Sequence, residues 1–434
     1  MTRARSARWF WWALIAVAAL GFVIRLTYIL VSRQDIDFGG DARFYHLGAN
    51  VLADGKGFVS PFFPGHAVQA GEHPPLYLVY LAIASWFGFT SVLSHLVWSA
   101  VLGTGTVVIV GMAGRQIGGP RVGIVAALLA ASYPNIWIPD GSLMAESMAI
   151  FATAAAILFA YRYWRQPRWW RLALVGVASG AGALSRSELI LIVPLMVIPL
   201  ALLVPGEKRR DRWVAIGAGA MAAVVVMAPW LVFNLTRFEK PELLSTQFGP
   251  LLSSANCDRI WKSNHTSYFS IECTKDIEAR SIRPGMDQSE QDVVYRRAAL
   301  DYIGNHLGDL PAVTAARLGA IVGIYHPGLQ IRIDGIIEGR GVGMARVAWY
   351  SFWGLGALAI AGGFELRRRS VPVFPLLVPP VMVVATVALT YFSTRFRASA
   401  EVAICLLAAV AVDPAFARWW RPANRSDSTP GAPE

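Results

Sequence analysis

The residues able to do chemistry gather in the polar stretch 32–75, between the first two apolar blocks of the chain. It holds Asp35, Asp37, Asp41, Asp54 and Glu72, with Arg43, Tyr45, His46, Lys56, His66 and His73 among them. A loop this long, with acids, bases and aromatics mixed, reads as a folded working segment. Asp41 follows Gly39-Gly40 and precedes Ala42-Arg43-Phe44-Tyr45-His46, where a turn gives way to a helix. Backbone N–H groups and the helix dipole at such a start keep a carboxylate ionised, which suits a general base or a metal ligand. The plainer alternative is that Asp41 merely caps the helix 42–53. Asp37 with Asp41 could hold a divalent cation, and Asp35 could help, although an acid pair at this spacing also suits solvated surface. Glu72 and His73 are fixed just before Pro74-Pro75, and a protonated His73 could donate to a phosphate oxygen.

Other charges stand out because their surroundings are apolar. Arg186 and Glu188 occupy a tight hairpin between the apolar runs 173–184 and 189–204. Charges so placed cost about 2.5 to 3.5 kcal/mol each on insertion scales unless paired or used; these two could simply pair with each other. Arg395 and Arg397 frame Phe396 just before the last apolar run, and two guanidinium groups there suit an anionic headgroup. Glu401, one helical turn after Arg397, is its expected partner. Glu146 opens another apolar run and adds a further acid. No HExxH, Cys/His zinc cluster, G-x-S-x-G elbow or Walker loop occurs, which removes metalloprotease, serine hydrolase and ATP-driven pump from consideration. A carboxylate, arginines and a greasy body fit a lipid-phosphate substrate whose tail lies in the bilayer.

The elements that position these residues are membrane helices. Of 434 residues 55% are hydrophobic, arranged in runs long enough to cross a bilayer. Ten spans are expected: 9–32, 91–114, 122–138, 144–164, 172–184, 189–204, 213–233, 345–364, 371–392 and 399–416. The first reads as a retained helix, since no small-residue cleavage site follows it. The apolar block 74–89 is short and opens with two prolines. If it lies along the surface as a juxtamembrane helix, the clusters around Arg115, Arg165, Arg209, Arg368 and Arg421 share a side with the basic N-terminus, as the positive-inside rule asks. That arrangement puts both termini in the cytoplasm and the loop 32–75, the hairpin 185–188, the region 234–344 and the turn 393–397 outside.

The net charge of +11 belongs to these anchors, so nucleic acid is not an expected partner. The chain divides into a transmembrane core 1–233, an extracytoplasmic region 234–344, C-terminal helices 345–416 and a cytoplasmic tail 417–434. Cys257 and Cys273, in the polar region, suit either a disulfide in an oxidising compartment or two free thiols; Cys405 lies in an apolar run and reads as a buried thiol.

Asp37-x-x-Gly40-Asp41-Ala42-Arg43-x-Tyr45-x-x-x-Ala49, Gly55-Lys56-Gly57-Phe58 and His73-Pro74-Pro75-Leu76-Tyr77 resemble the first extracytoplasmic loop of the C-type membrane glycosyltransferases. The branch they resemble is that of bacterial relatives of the protein O-mannosyltransferases and the lipid A aminoarabinose transferases. Ser132-x-Pro134 with Glu146, Leu184-Ser185-Arg186-Ser187-Glu188 and Arg395-Phe396-Arg397 extend the likeness over most of the chain. It implies an all-α bundle in the bacterial plasma membrane. It also implies inverting transfer from a polyprenyl-phosphate sugar to a glycan, glycolipid or protein hydroxyl, outside the cytoplasm.

By that resemblance Asp41 is the general base, and Tyr45, Glu72, His73, Glu146, Arg186, Arg395 and Arg397 bind the donor's phosphate or sugar. No cofactor is implied beyond the divalent cation that Asp37 and Asp41 could hold. Relatives with a similar long loop carry a cysteine pair, which favours a Cys257–Cys273 disulfide. Ala42 replaces the Glu of the mannosyltransferases and His73 the Lys of the aminoarabinose transferases, which leaves sugar and acceptor open. A flippase or an assembly scaffold for a lipid-linked intermediate is the alternative. A transporter would place charges along a midplane pathway and often repeat its halves; neither is evident.

Overall fold

The computed structural model describes residues 2–33, 39–63, 68–263 and 265–419, with side chains described only between residues 8 and 413. Asp35, Asp37 and His66 lie outside the described residues, as does the tail from residue 420. Helix α1 (Thr2–Ser32) is followed by the loop helices α2 (Gly40–Ala53) and α3 (Leu76–Trp86), then by α4 (Val92–Gly118), α5 (Pro120–Ser132), α6 (Pro134–Trp137) and α7 (Glu146–Arg165). Next come α8 (Trp169–Ala183), α9 (Ile198–Leu203) and α10 (Arg209–Arg237). The region after α10 folds as α11 (Phe248–Ala255), α12 (Asp258–Trp261), α13 (Ile271–Ser281), α14 (Gln288–Asn305), α15 (Leu310–Ile321) and α16 (Pro327–Arg332). The chain closes with α17 (Val342–Arg368), α18 (Phe374–Leu389) and α19 (Thr394–Trp419).

Among the described residues, five helices are long and apolar enough to cross a membrane: α4, α7, α10, α17 and Arg8–Ser32 of α1. The bent pair Pro120–Ser132 and Pro134–Gly141 makes a sixth if taken as one span. This is a multi-pass membrane protein. The other expected spans are shorter or broken, at identifiable residues. The run 122–138 is broken by 70° at Tyr133-Pro134, because a residue before proline is pushed out of the helical region, and Tyr133 has ψ 116. The run 189–204 is split into a 3-10 turn (Ser187–Leu191), a π turn (Val193–Val197) and α9, with Pro194 and Pro199 removing ladder donors. α8 and α18, at 15 and 16 residues, fall below the length rule. The block 74–89 forms an 11-residue helix, too short to cross a bilayer.

Small residues let the membrane helices approach closely, since lipid supplies little hydrophobic drive between helices. Ala126, Ala127, Ala130, Ala149, Ala152, Ala156, Ala403 and Ala409 are all buried in one core. A Cβ on Gly176 of α8 would lie 1.9 Å from the Gly219 carbonyl oxygen of α10, so any larger residue would force these two helices apart. Within the span of α1, Arg25 is buried against Asp140, its Nε donating to Oδ2 at 2.7 Å. Arg33 Nε donates to the Gly141 carbonyl at 2.6 Å. These two contacts pin the turn Ile138–Gly141, and with it the start of α7 where Glu146 stands.

The region 234–344 closes over the first loop. Arg237 at the end of α10 donates to the Ala70 carbonyl at 2.8 Å, and Thr246 N–H donates to the Gly71 carbonyl at 2.8 Å. Gln288, just inside the capping box of α14, accepts from Gly71 N–H at 2.8 Å and donates to Glu72 Oε1 at 2.7 Å. Cys257 and Cys273 form a disulfide between the start of α12 and α13. With a sequence separation of 16 between the two cysteines, its loss is expected to cost about 3 kcal/mol. The midpoint of thermal unfolding for Cys273→Ser, with and without reductant, measures it. An unshifted midpoint would mean that this subdomain's stability does not limit unfolding.

Candidate active site

Asp41 lies in the first turn of α2 but does not cap it; Gly39 occupies the cap and no side chain closes it. The carboxylate turns instead toward the membrane helices. Arg395, in the first turn of α19, donates from Nη2 to Asp41 Oδ2 at 2.7 Å and from Nε to Glu146 Oε1 at 2.7 Å. Arg186 donates from Nη1 to the same Glu146 oxygen at 2.6 Å and from Nε to Glu188 Oε1 at 2.6 Å. On the other side His73 Nε2 stands 3.4 Å from Asp41 Oδ1. An alternating chain of charge thus runs His73, Asp41, Arg395, Glu146, Arg186, Glu188, from segments far apart in sequence.

Glu146 is 1% exposed and tolerates that burial because two guanidinium groups share its Oε1. Asp41 is 30% exposed in its side chain. Burial raises its pKa, but the neighbouring Arg395 and His73 outweigh it and hold the carboxyl well below the ordinary carboxylate range. Tyr45 is buried one helical turn along α2, its ring 5.1 Å from His73 and 5.0 Å from Tyr77. This aromatic packing fixes the imidazole beside Asp41. Arg186 lies over the Phe396 ring at 4.8 Å, which orients a second guanidinium.

The charge chain forms the polar end of a cavity of about 850 Å³. Asp41, Tyr45, Glu72, His73, Arg186 and Arg395 line it on one side. Thr386, Leu389 and Thr390 at the end of α18, with Leu243, Phe248 and Leu251, supply a largely apolar remainder. Leu389 is 69% exposed, so the apolar wall continues onto the outside of the protein.

The structure therefore brings Asp41, Tyr45, Glu72, His73, Glu146, Arg186 and Arg395 to one place, Glu146 from beneath. Arg397 is not there. It is buried, donates to Glu401 Oε1 at 2.6 Å and to the Ile321 carbonyl at 3.0 Å, and lies over the Phe352 ring. Tyr133 completes that cluster by donating to Glu401 Oε2 at 2.7 Å, so Arg397 secures the bundle rather than a ligand. Glu72 faces Gln288 and the region after α10 rather than Asp41.

Of the two proposed metal ligands, Asp37 lies outside the described residues and Asp41 is engaged by Arg395 and His73. Among the described residues no three His, Cys, Asp or Glu side chains converge as a metal site.

Sequence reasoning passed over Glu338, which lines the cavity with Arg395. Burial raises its pKa against the pull of Arg395 and Arg340. The sequence offered no signal for it; in the structure it follows the π turn Ile333–Ile337, and such turns collect at functional sites. Thr394 Oγ1 donates to Asp334 Oδ1 at 2.6 Å and Arg33 donates to the Gly339 carbonyl, which holds this turn against α19 and α1.

Residues 72–233 match the family described as dolichyl-phosphate-mannose-protein mannosyltransferase. No curated protein matches the chain. Among solved structures, the oligosaccharyltransferase of Archaeoglobus fulgidus tethered to an acceptor peptide shares 15% identity at a TM-score of 0.56, over 94% of this chain and 50% of that one. The same organism's oligosaccharyltransferase AglB, with an inhibitory peptide and a dolichol-phosphate, gives 18% identity and a TM-score of 0.53 over 94% and 50%. ArnT from Cupriavidus metallidurans bound to undecaprenyl phosphate gives 14% identity and a TM-score of 0.44 over 93% and 77%. The chain spans about half the length of the archaeal enzyme. At these identities the likeness is one of fold. The resemblance read from the sequence holds: residues 72–233 match a family of lipid-phosphate-sugar glycosyltransferases.

Proposed function

We propose that this protein transfers a sugar from a polyprenyl-phosphate donor to an acceptor hydroxyl, with inversion, on the extracytoplasmic face of a bacterial plasma membrane. The observation that carries the reading is an ionised carboxylate and two arginines at the polar end of a cavity that has an apolar wall running out to exposed Leu389. Such a cavity suits an amphiphile with a charged head and a hydrocarbon tail. The matched family's description, naming a dolichyl-phosphate sugar, supports the donor class. In this reading α8, the broken segment Ser187–Leu203, α18 and α19 complete a ten-pass bundle with the longer helices, and the region 234–344 caps its outer face.

The acceptor oxygen forms a bond to the anomeric carbon as the bond from that carbon to the phosphate oxygen breaks, and the phosphate leaves with the electron pair. The acceptor's proton passes to Asp41. Arg395, Arg186 and His73 stabilise the charge gathering on the phosphate. A carboxylate clasped by Arg395 is a weak base. A donor phosphate competes for the same guanidinium, loosens its hold on Asp41 and raises the basicity of Asp41 when substrate is in place. Any divalent cation would have to engage Asp41 in competition with Arg395 and His73.

Proteoliposomes of the purified protein, supplied with labelled polyprenyl-phosphate sugars and a cell-envelope extract, test the proposal. Label is expected to move from one donor into the extract. Donor binding without transfer from any donor would instead favour a carrier or scaffold.

A further inference from the structure

The cavity extends well beyond the charge chain, and the part under α14 carries a carboxyl that the transfer chemistry does not use. Glu242 follows α10 by five residues, is 6% exposed, and lines the cavity. Its Oε1 has no hydrogen-bond partner. A buried carboxyl oxygen left unmatched is costly, and such groups normally find a partner in protein, water or ligand. Its surroundings do not supply a strong counter-charge. Burial raises its pKa most, Asp292 and Asp287 add to the rise and Arg296 opposes it, which brings the group to about 7. Glu242 is therefore poised between a neutral carboxyl, able to donate and accept, and a carboxylate.

The neighbouring lining has the same mixed character. Glu72 is held by Gln288 through Oε1, while its Oε2 is buried and unpartnered. Arg296 adds donors to this wall. Phe248, half-exposed, and Phe269, which packs on Tyr391 with ring centroids 4.8 Å apart, add apolar faces to the same cavity. Donors and acceptors interleaved with aromatic faces match a ligand bearing many hydroxyls on an apolar ring skeleton. A lipid tail would not need the carboxyls, and an ammonium group would be served better by carboxylates of low pKa.

We infer that Glu242, together with Glu72 elsewhere in the wall of the same cavity, binds hydroxyl groups of a carbohydrate acceptor. This rests on the transferase reading and narrows its acceptor to a glycan. Covering Glu242 with a sugar removes its remaining water and favours the neutral form, so affinity falls as pH rises through about 7. Glutamine keeps the neutral form's donor and acceptor at every pH.

Equilibrium binding to the full-length protein in nanodiscs, without donor, tests this independently of catalysis. The probes are neutral oligosaccharides of about two to six sugars, hydrolysed from envelope polysaccharide, and spermidine as a hydroxyl-free cation. Wild type is expected to bind an oligosaccharide, Glu242→Ala to lose at least about tenfold in affinity, and Glu242→Gln to stay within about threefold of wild type while losing the dependence on pH near 7. Folding of each variant is checked by thermal unfolding. Failure of wild type to bind any oligosaccharide, preference for spermidine, or equal loss in both variants would each overturn the inference. Transfer of label by the same wild-type preparation is scored separately, so a missing glycan site is distinguished from a missing transferase.

Discussion

Asp41→Asn is expected to lower the rate of transfer by about 10²- to 10⁴-fold, the range that a positioned general base supplies. Asparagine keeps the size of the side chain and can still accept from Arg395, so donor binding should change little. Single-turnover transfer in proteoliposomes, alongside equilibrium binding of the donor, separates the two effects. Retention of the wild-type rate would move the proton acceptor to another carboxyl of the cavity, of which Glu338 is the leading one.

The pH dependence carries the same argument further. The folded-state pKa of Asp41 is depressed, so the folded protein keeps the group ionised as pH falls; its contribution to stability is complete above the ordinary carboxylate pKa, declines as pH falls through that value and is gone below the folded one. The acid limb of kcat/KM, which reports the free enzyme, should therefore not show Asp41 in the usual pH 4 region. When the donor phosphate draws Arg395 away, the carboxyl loses its largest stabilising neighbour and its pKa rises. The acid limb of kcat should lie at higher pH than that of kcat/KM. Coincident limbs would mean that Arg395 stays on Asp41 throughout the reaction.

The comparison of Arg395 with Arg397 shows how far such a site can be read from sequence. Both stand before the last apolar run, and charge bias alone places both on the outer face. Residues two apart on a helix point about 200° away from each other, so they cannot both face one cavity. One reaches Asp41 and Glu146, while the other is buried on Glu401 and Tyr133. Asp41 and His73 were legible because they belong to a mixed polar stretch between two apolar blocks, and Arg186 and Glu146 because each is a charge set against apolar sequence. Glu242 and Gln288 were not, since their meaning depends on packing against the first loop, and Gln288 meets Glu72 across 216 positions of sequence. Which of the expected spans are long and straight was not legible for a different reason. Hydropathy registers apolar length, whereas Pro134, Pro194 and Pro199 decide whether the backbone of an apolar run stays straight.

Arg395→Gln should lower transfer by about 10²- to 10³-fold and also destabilise the protein, and the two losses can be pulled apart. Its guanidinium bridges a carboxylate at the cavity and one that is 1% exposed beneath it. Removing it leaves Glu146 with Arg186 alone, and breaking a buried pair from one side costs about 3 to 5 kcal/mol. Neutralising the orphan as well, in Arg395→Gln/Glu146→Gln, should recover much of that stability, because a buried amide needs far less compensation than a buried charge. Transfer should not recover, since no cation at this position then meets the phosphate, a loss of about 10²- to 10³-fold for one such contact. Arg395→Lys completes the set: a single ammonium keeps the charge but cannot span both carboxylates as the planar fork does. Its expected behaviour is near-normal folding with impaired transfer. Thermal unfolding and single-turnover rates on wild type, Arg395→Gln, Glu146→Gln and the double variant give the coupling between Arg395 and Glu146 directly. Stability and transfer restored together in the double variant would show that Arg395 serves only to neutralise Glu146, and the donor phosphate would then have to be met by Arg186 and His73.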